Sequence, residues 1–203
     1  MNSFFARLFG AGRIGLLAIL LGVTLSGCGI NNIPSHEETA KAKWSQVLNQ
    51  YQRRADLIPN LVETVKGYAK QESQVLEAVI SARARATSVQ LPADVLTNPE
   101  AFRKFQEAQS QLSGALGRLL VVTENYPDLK SNQNFLALQS QLEGTENRIS
   151  VARRDYIEAV RIYNTELKTF PGVIWASTLY KANQPMETFT IAEETKRAPQ
   201  VKF

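Results

Sequence analysis

Apolar side chains recur along this chain in steps of three and four. Trp44, Leu48, Tyr51, Ala55, Ile58, Val62, Val65, Ala69, Leu76 and Val79 hold one stripe, broken only where Glu72 takes a seam position. That spacing matches the turn of an α-helix and is too regular for strands. The same stepping returns in Phe102, Phe105, Leu112, Leu116 and Leu119. It appears once more in Phe135, Leu138, Leu142, Ile149, Ala152, Tyr156, Tyr163 and Phe170. Stripes of this kind are buried by packing helix on helix, so the chain reads as all-α with long helices.

Breaks in the stripes set the helix ends. Helical pattern begins at about His36, after a polar stretch from Asn31 to Ser35 that contains Pro34. Pro59 falls inside the first stripe, where it removes one hydrogen bond and crowds the carbonyl of Ala55. A single kinked helix suits the unbroken phase; a tight turn near Asp56–Asn60, giving two antiparallel helices, suits the length of the later segments. An unbroken helix to Ser88 would reach about 80 Å at 1.5 Å per residue, so the turn is preferred. Asn98-Pro99 is a helix start, with an N-cap residue before a proline in the first turn. Gly114 and Gly117 weaken the helix that follows; they and Gly67 are expected to admit a close neighbour. Tyr126-Pro127-Asp128 breaks the pattern. A last long helix runs from about Ser131 to Thr169, stopped by Phe170-Pro171-Gly172. Trp175, Leu179 and Tyr180 suggest a short helix, and Phe189, Val201 and Phe203 give the irregular tail enough apolar surface to dock.

The N-terminus has a different character. Residues 1–13 carry Arg7 and Arg13 and no acidic residue; Ile14 to Leu25 are apolar, and Ser26-Gly27 precede Cys28, the single cysteine. Basic, apolar and small-residue segments in that order mark an export signal. The apolar run is shorter than the roughly 20 residues that span a bilayer as a helix. A lone thiol makes no internal disulfide, and its setting looks like the processing box of bacterial lipoproteins. Residues 1–27 therefore read as a lipoprotein signal peptide, with an uncleaved single-pass anchor as the alternative. Residues 28–35 read as a lipidated tether and residues 36–203 as the helical domain. Gly29 follows the cysteine where an aspartate would favour the inner membrane, so the outer membrane is preferred.

Charge and motif content narrow the function. Without Arg7 and Arg13, 21 basic side chains face 19 acidic ones, a net charge near +2; no basic block marks nucleic acid as a partner. The single histidine, His36, lies near the tether without converging partners, and there is no phosphate loop, nucleophile elbow or Cys/His metal spacing. Glu63, Glu77, Glu143 and Glu146 would need Glu-x-x-His pairs to build a di-metal bundle site, and the chain has none. They read as surface carboxylates or as internal ion-pair partners of Arg53, Arg54, Arg153 and Arg154, while Arg83 and Arg85 add a third basic spot. No cofactor, metal or catalytic residue is assigned.

The segment from Gln52 to Ala69, QRRADLIPNLVETVKGYA, resembles the signature stretch of the LemA family. Further stations recur in order: Ala82-Arg83, Glu124-Asn125-Tyr126-Pro127-Asp128-Leu129-Lys130, Asn134-Phe135, Ala152-Arg153-Arg154-Asp155-Tyr156, Tyr163-Asn164, Phe170-Pro171 and Val201-Lys202-Phe203. The resemblance covers about residues 40–203. It implies a membrane-anchored bacterial protein with an antiparallel up-and-down four-helix bundle and no established enzymatic activity. Many relatives keep a transmembrane helix where this chain has Cys28. The expected function is a non-enzymatic scaffold or adaptor of the cell envelope, held by lipid at Cys28 and engaging an envelope protein, with no nucleic acid or small-molecule substrate. Arg53, Arg54, Asp56, Lys66, Tyr68, Tyr126, Asp128, Lys130, Arg153 and Arg154 are the candidate partner face. The competing expectation is a metal- or ligand-binding, even enzymatic, bundle using inward carboxylates and tyrosines such as Tyr68 and Tyr156.

Overall fold

The structure is a computed structural model that describes residues 29–190. Cys28, the segment before it, and residues 191–203 with Val201 and Phe203 lie outside the described residues. Six helices follow in order: α1 Asn32–Tyr68, α2 Ser73–Ser88, α3 Pro99–Thr123, α4 Pro127–Lys130, α5 Gln133–Glu166 and α6 Gly172–Thr178. There is no strand among the described residues.

Helix α1 runs for 37 residues, about 55 Å at 1.5 Å per residue. It starts earlier than the sequence suggested. Asn32–Ser35 belong to its first turn, and Ile33 is fully buried. Pro34 fits there because first-turn N–H groups have no intrahelical acceptor to lose. Residues 32–35, expected to lie in the tether, are therefore helical.

The turn expected at Asp56–Asn60 is absent, and α1 continues through Pro59. Its physical reason is on the neighbouring helix. Proline at 59 leaves the Ala55 carbonyl without its helical donor, and Arg83 Nε donates to that oxygen at 2.8 Å. An interior proline costs about 3 kcal/mol, and a hydrogen bond from a charged donor returns about 1.5–3 kcal/mol, so the two are comparable. Pro59 itself is exposed, while Ala55, Ile58, Val62 and Val65 stay buried on one side. The chain reverses ten residues later, between Tyr68 and Ser73, where Glu72 breaks the stripe.

Helices α1 and α5 run antiparallel over their full lengths. Asn32 meets Glu166, Lys43 meets Asp155, Gln50 meets Arg148, Arg54 meets Glu146 and Tyr68 meets Asn132. Steps up α1 are matched by steps down α5 to within two residues. Helices α2 and α3 form a second antiparallel pair, with Gln109 bonded to the Ala86 carbonyl and Tyr126 to Glu72. The Asn98 side chain accepts from the Ala101 N–H at 3.1 Å with Pro99 opening α3, and Asn132 caps α5 in the same way.

Because α2 has only 16 residues, it covers just one half of α1. The interior accordingly divides into two clusters. Ile58, Leu61, Val65, Leu76, Val79, Leu112, Leu119, Leu129 and Phe135 fill the half that α2 closes. The other half is aromatic: Trp44 lies within 6.0 Å, centroid to centroid, of Phe102, Phe105, Tyr156 and Phe189. Phe189 comes from the described part of the tail and is buried there. The extended segment before Thr190 is fastened by Asn164, whose amide both donates to the Met186 carbonyl and accepts its N–H, by Tyr156 on the Glu187 carbonyl, and by Gln106 on the Thr190 carbonyl.

Three glycines are placed otherwise than expected. Gly67, Gly114 and Gly117 are exposed, and a Cβ on any of them would meet no atom within 4 Å. They admit no close neighbour. Phe170, counted in the last stripe, points outward beyond the end of α5 and is 80% exposed.

Two outcomes follow. Arg83→Met should lower stability in urea unfolding by about 1–2 kcal/mol. The same change should cost far less beside Pro59→Ala, where a backbone N–H serves Ala55 instead; equal costs in both backgrounds would refute the pairing. Gly114→Ala and Gly117→Ala should each raise stability by about 0.5–1 kcal/mol, and a lowered melting temperature would show a neighbour the structure does not have.

Candidate functional site

Among the described residues Arg54 is the one charged side chain that the fold buries, with 1% of its surface exposed. It sits on α1 where the aromatic cluster gives way to the aliphatic one, between Tyr51 and Ile58. A buried guanidinium is costly unless its donors are met. Nη1 donates to Ser113 Oγ at 2.6 Å and Glu146 Oε1 at 2.8 Å; Nη2 donates to Gln109 Oε1 at 2.6 Å and the Gln109 carbonyl at 3.3 Å. Only Nε–H lacks a partner among the described residues. The Tyr51 ring lies 5.0 Å from Cζ, within cation–π range. Gln109 Nε2 in turn reaches the Ala86 carbonyl near the end of α2. One side chain thus joins α1 to α3 and α5 directly, and to α2 through Gln109.

This layer removes Arg54 from the candidate partner face. Its charge is directed inward, and the sequence lacked the one fact needed to see this, which is that position 54 lies on the seam that faces α3 and α5. The signal was available in part. Arg54 is three residues beyond Tyr51 and four before Ile58, inside the same apolar stripe. Burial pushes the Tyr51 phenol above its ordinary value, against the pull of the Arg153 and Arg54 guanidiniums.

The other candidate residues fall into two groups. Arg53 and Asp56 are exposed on the middle of α1, with Gln52 Nε2 on the Asp56 carboxylate at 2.7 Å. Arg153 stacks on Phe189 at 4.3 Å, and Arg154 stays exposed, 3.8 Å from Asp155. The second group gathers where α1 ends and α5 begins. Tyr68 accepts a bond from Asn132 Nδ2 at 2.8 Å, and Tyr126 donates to Glu72 at 2.7 Å while accepting from Gln71. The bond to Glu72 raises the Tyr126 phenol above its ordinary value. Lys130 pairs with Glu124, Lys66 approaches Glu63, and Asp128 is exposed in the first turn of α4. Buried Leu129 anchors this corner beneath them.

Residues invoked for the competing ligand-binding reading are dispersed. Glu63 and Glu77 line a groove between α1 and α2, whereas Glu143 and Glu146 line another between α3 and α5. Tyr156 is buried, with its hydroxyl donating to the Glu187 carbonyl at 2.8 Å. That burial holds its phenol well above the usual range, and Glu187 adds to the shift. Tyr68 is at the opposite end of α1. No cluster of three or more His, Cys, Asp or Glu side chains suited to a metal ion occurs among the described residues.

The Arg54 layer makes its own forecast. Glu146 is half exposed, so its loss is less severe than for a fully buried ion pair. Glu146→Ala should cost about 1–3 kcal/mol in urea unfolding, because it strands a buried charge. Beside Arg54→Met the same change should cost almost nothing. Additive costs would mean that the pair contributes no coupling.

Comparison with known proteins agrees with the resemblance of the signature stretch. The sequence profile of the LemA family matches residues 43–203. Magnetosome protein MamQ 2 of Paramagnetospirillum magneticum is 24% identical over 174 residues, covering 78% of this chain and 64% of that protein. Magnetosome protein MamQ of Magnetospirillum gryphiswaldense is 22% identical with the same coverage. Protein LemA of Metamycoplasma hominis is 26% identical over 118 residues, which is 58% of this chain and 49% of that one. The chain thus spans under two thirds of each of these relatives. By the extent of the profile match, this chain belongs to the LemA family.

Proposed function

We propose that the protein is a non-enzymatic scaffold or adaptor of the bacterial cell envelope. In this reading lipid at Cys28 holds it to the membrane, with the outer membrane preferred and a single-pass anchor as the alternative. The four longer helices act together as an antiparallel up-and-down bundle. The observation that carries the reading is the continuity of α1 through Pro59. Gly29 lies at one end of that helix, one residue from Cys28. The polar corner of Lys66, Tyr68, Tyr126, Asp128 and Lys130 lies at the other, about 55 Å away at 1.5 Å per residue.

A helix of that length works as a spacer. It carries the corner formed by the α1 end, α4 and the α5 start away from the anchored end, where a second envelope protein can reach it. Arg53, Asp56 and Arg154 are exposed farther from this corner. Tyr68, Tyr126 and Lys130 at the corner already have partners within the chain, so they are held in position, which lowers the ordering cost of binding. Among the described residues no helix is long and apolar enough to cross a membrane. Attachment in this reading therefore rests on the chain before Gly29.

The test uses the full chain in cells. Cys28→Ala should abolish acyl labelling and leave an unprocessed precursor; acyl label persisting on that variant would sink the lipid anchor. Photo-crosslinkers at Tyr68 and Asp128 should capture one defined envelope protein, and a crosslinker at Ala42 should not. Equal capture from all three positions, or capture unchanged by charge reversal at Lys66 and Lys130, would sink the distal partner face.

A further inference from the structure

The end of the molecule that holds Gly29 carries an apolar surface that the described chain leaves uncovered. Helix α6 and its flanks are the source. On the inner side, Trp175, Ala176 and Tyr180 pack against the aromatic cluster, and Gly172 is buried. A helix exposed to water should then be polar on its outer side. Here the exposed side carries Val173 and Ile174 beside Ser177 and Thr178, and Phe170 stands exposed just before the N-cap Pro171. Phe170 is 80% exposed, Val173 41%, Ile174 45%, and Leu179 just past the helix 60%. Lys168 and Lys181 flank the patch, both exposed and without an ion pair among the described residues. Clustered apolar exposure of this kind marks a contact surface.

The corner is built rigidly against the start of α1. A side chain at Gly172 would collide with the Glu166 carbonyl, so α6 can turn tightly onto the end of α5 only with glycine there. Asn32 Nδ2 donates to the Glu166 carboxylate at 3.1 Å, tying the first turn of α1 to the same corner. Gly29 lies alongside with φ +88°, and a Cβ on it would stand 3.3 Å from Pro171 Cγ. The chain therefore enters the described structure in contact with Pro171, next to Phe170. Immediately before it come Cys28 and the apolar run Ile14–Leu25.

We propose that Phe170, Val173, Ile174 and Leu179, between Lys168 and Lys181, form a membrane foot that sits in the headgroup region of an anionic bilayer. The inference rests on the anchored reading above and adds an orientation to it. An anchor attached one residue before Gly29 brings Pro171 to the bilayer surface, so the neighbouring apolar side chains reach the same interface. Aromatic and aliphatic groups partition there, and adjacent lysines favour anionic headgroups. The foot gives the anchored protein a second attachment. It holds the bundle at a set angle, with the Tyr68–Tyr126 corner pointing away from the membrane.

The full-length, lipid-modified protein in vesicles of phosphatidylethanolamine and phosphatidylglycerol decides the matter. A single added thiol, Ile174→Cys or Val121→Cys, carries an environment-sensitive fluorophore; Val121 is exposed near the far end of α3. The expected result is blue-shifted emission at position 174 that doxyl-labelled lipids quench several-fold more than at position 121. The difference should be smaller in vesicles of neutral lipid alone. If the protein floats with the vesicles while position 174 stays open to aqueous iodide, the foot is wrong and the anchor stands. If the protein does not float at all, both are wrong. If position 174 is shielded equally in detergent without bilayer, and thiols at 174 crosslink two chains, the patch is a contact between copies and the foot is wrong. Phe170→Ser with Ile174→Ser should keep the helical circular dichroism and the flotation, yet abolish lipid quenching of a probe placed by Leu179→Cys. Quenching that survives this change overturns the proposal.

Discussion

A single buried guanidinium sets the height at which four helices meet. Arg54 is costly inside the protein, by several kcal/mol for an unmatched charge, so the chain is most stable where Ser113, Gln109 and Glu146 all reach it. Apolar packing alone discriminates weakly between neighbouring registers, since one turn of sliding replaces one aliphatic contact with another. The Arg54 layer does not tolerate that slip. It also lies where the two hydrophobic clusters adjoin, so it ties an aromatic half to an aliphatic half that otherwise have separate interiors.

The continuity of α1 is the second condition. Pro59 deletes one backbone donor, and the molecule answers from outside the helix, through Arg83 on α2. Antiparallel pairing of α1 with α5 holds on both sides of the proline. A turn there would have shortened the molecule and brought the LemA signature segment back toward the N-terminal end. With α1 unbroken, the middle and end of that segment, from Asp56 to Ala69, lie in the half of the molecule remote from Gly29.

The two ends of the molecule are finished differently. At the far end, Tyr68, Tyr126, Glu72 and Asn132 satisfy one another and Leu129 closes the core beneath them. At the near end, the closing element α6 shows apolar side chains on both of its sides. Along the aromatic half, where α2 does not reach, the tail supplies the missing cover through Met186 and Phe189. An extended strap suits that place because Asn164, Tyr156 and Gln106 bond its backbone groups, which a lone extended segment cannot satisfy itself.

Much of this was legible from residue order alone. Period and caps determine a helix locally, so the three long stripes, the Asn98-Pro99 start, the break at Tyr126-Pro127 and the apolar docking of Phe189 needed no coordinates. The LemA resemblance carried by the Gln52–Ala69 stretch was likewise a property of sequence. Tertiary structure alone decided the rest. Whether Pro59 turns the chain depends on a donor 24 residues away, and whether Arg54 faces a partner or the interior depends on which helices flank its seam. The open space around Gly67, Gly114 and Gly117 and the outward face of α6 are also facts of packing. Local chemistry fixes which residues form a helix, because its hydrogen bonds span only four positions. Which side of that helix is wet is set by neighbours brought in from elsewhere along the chain.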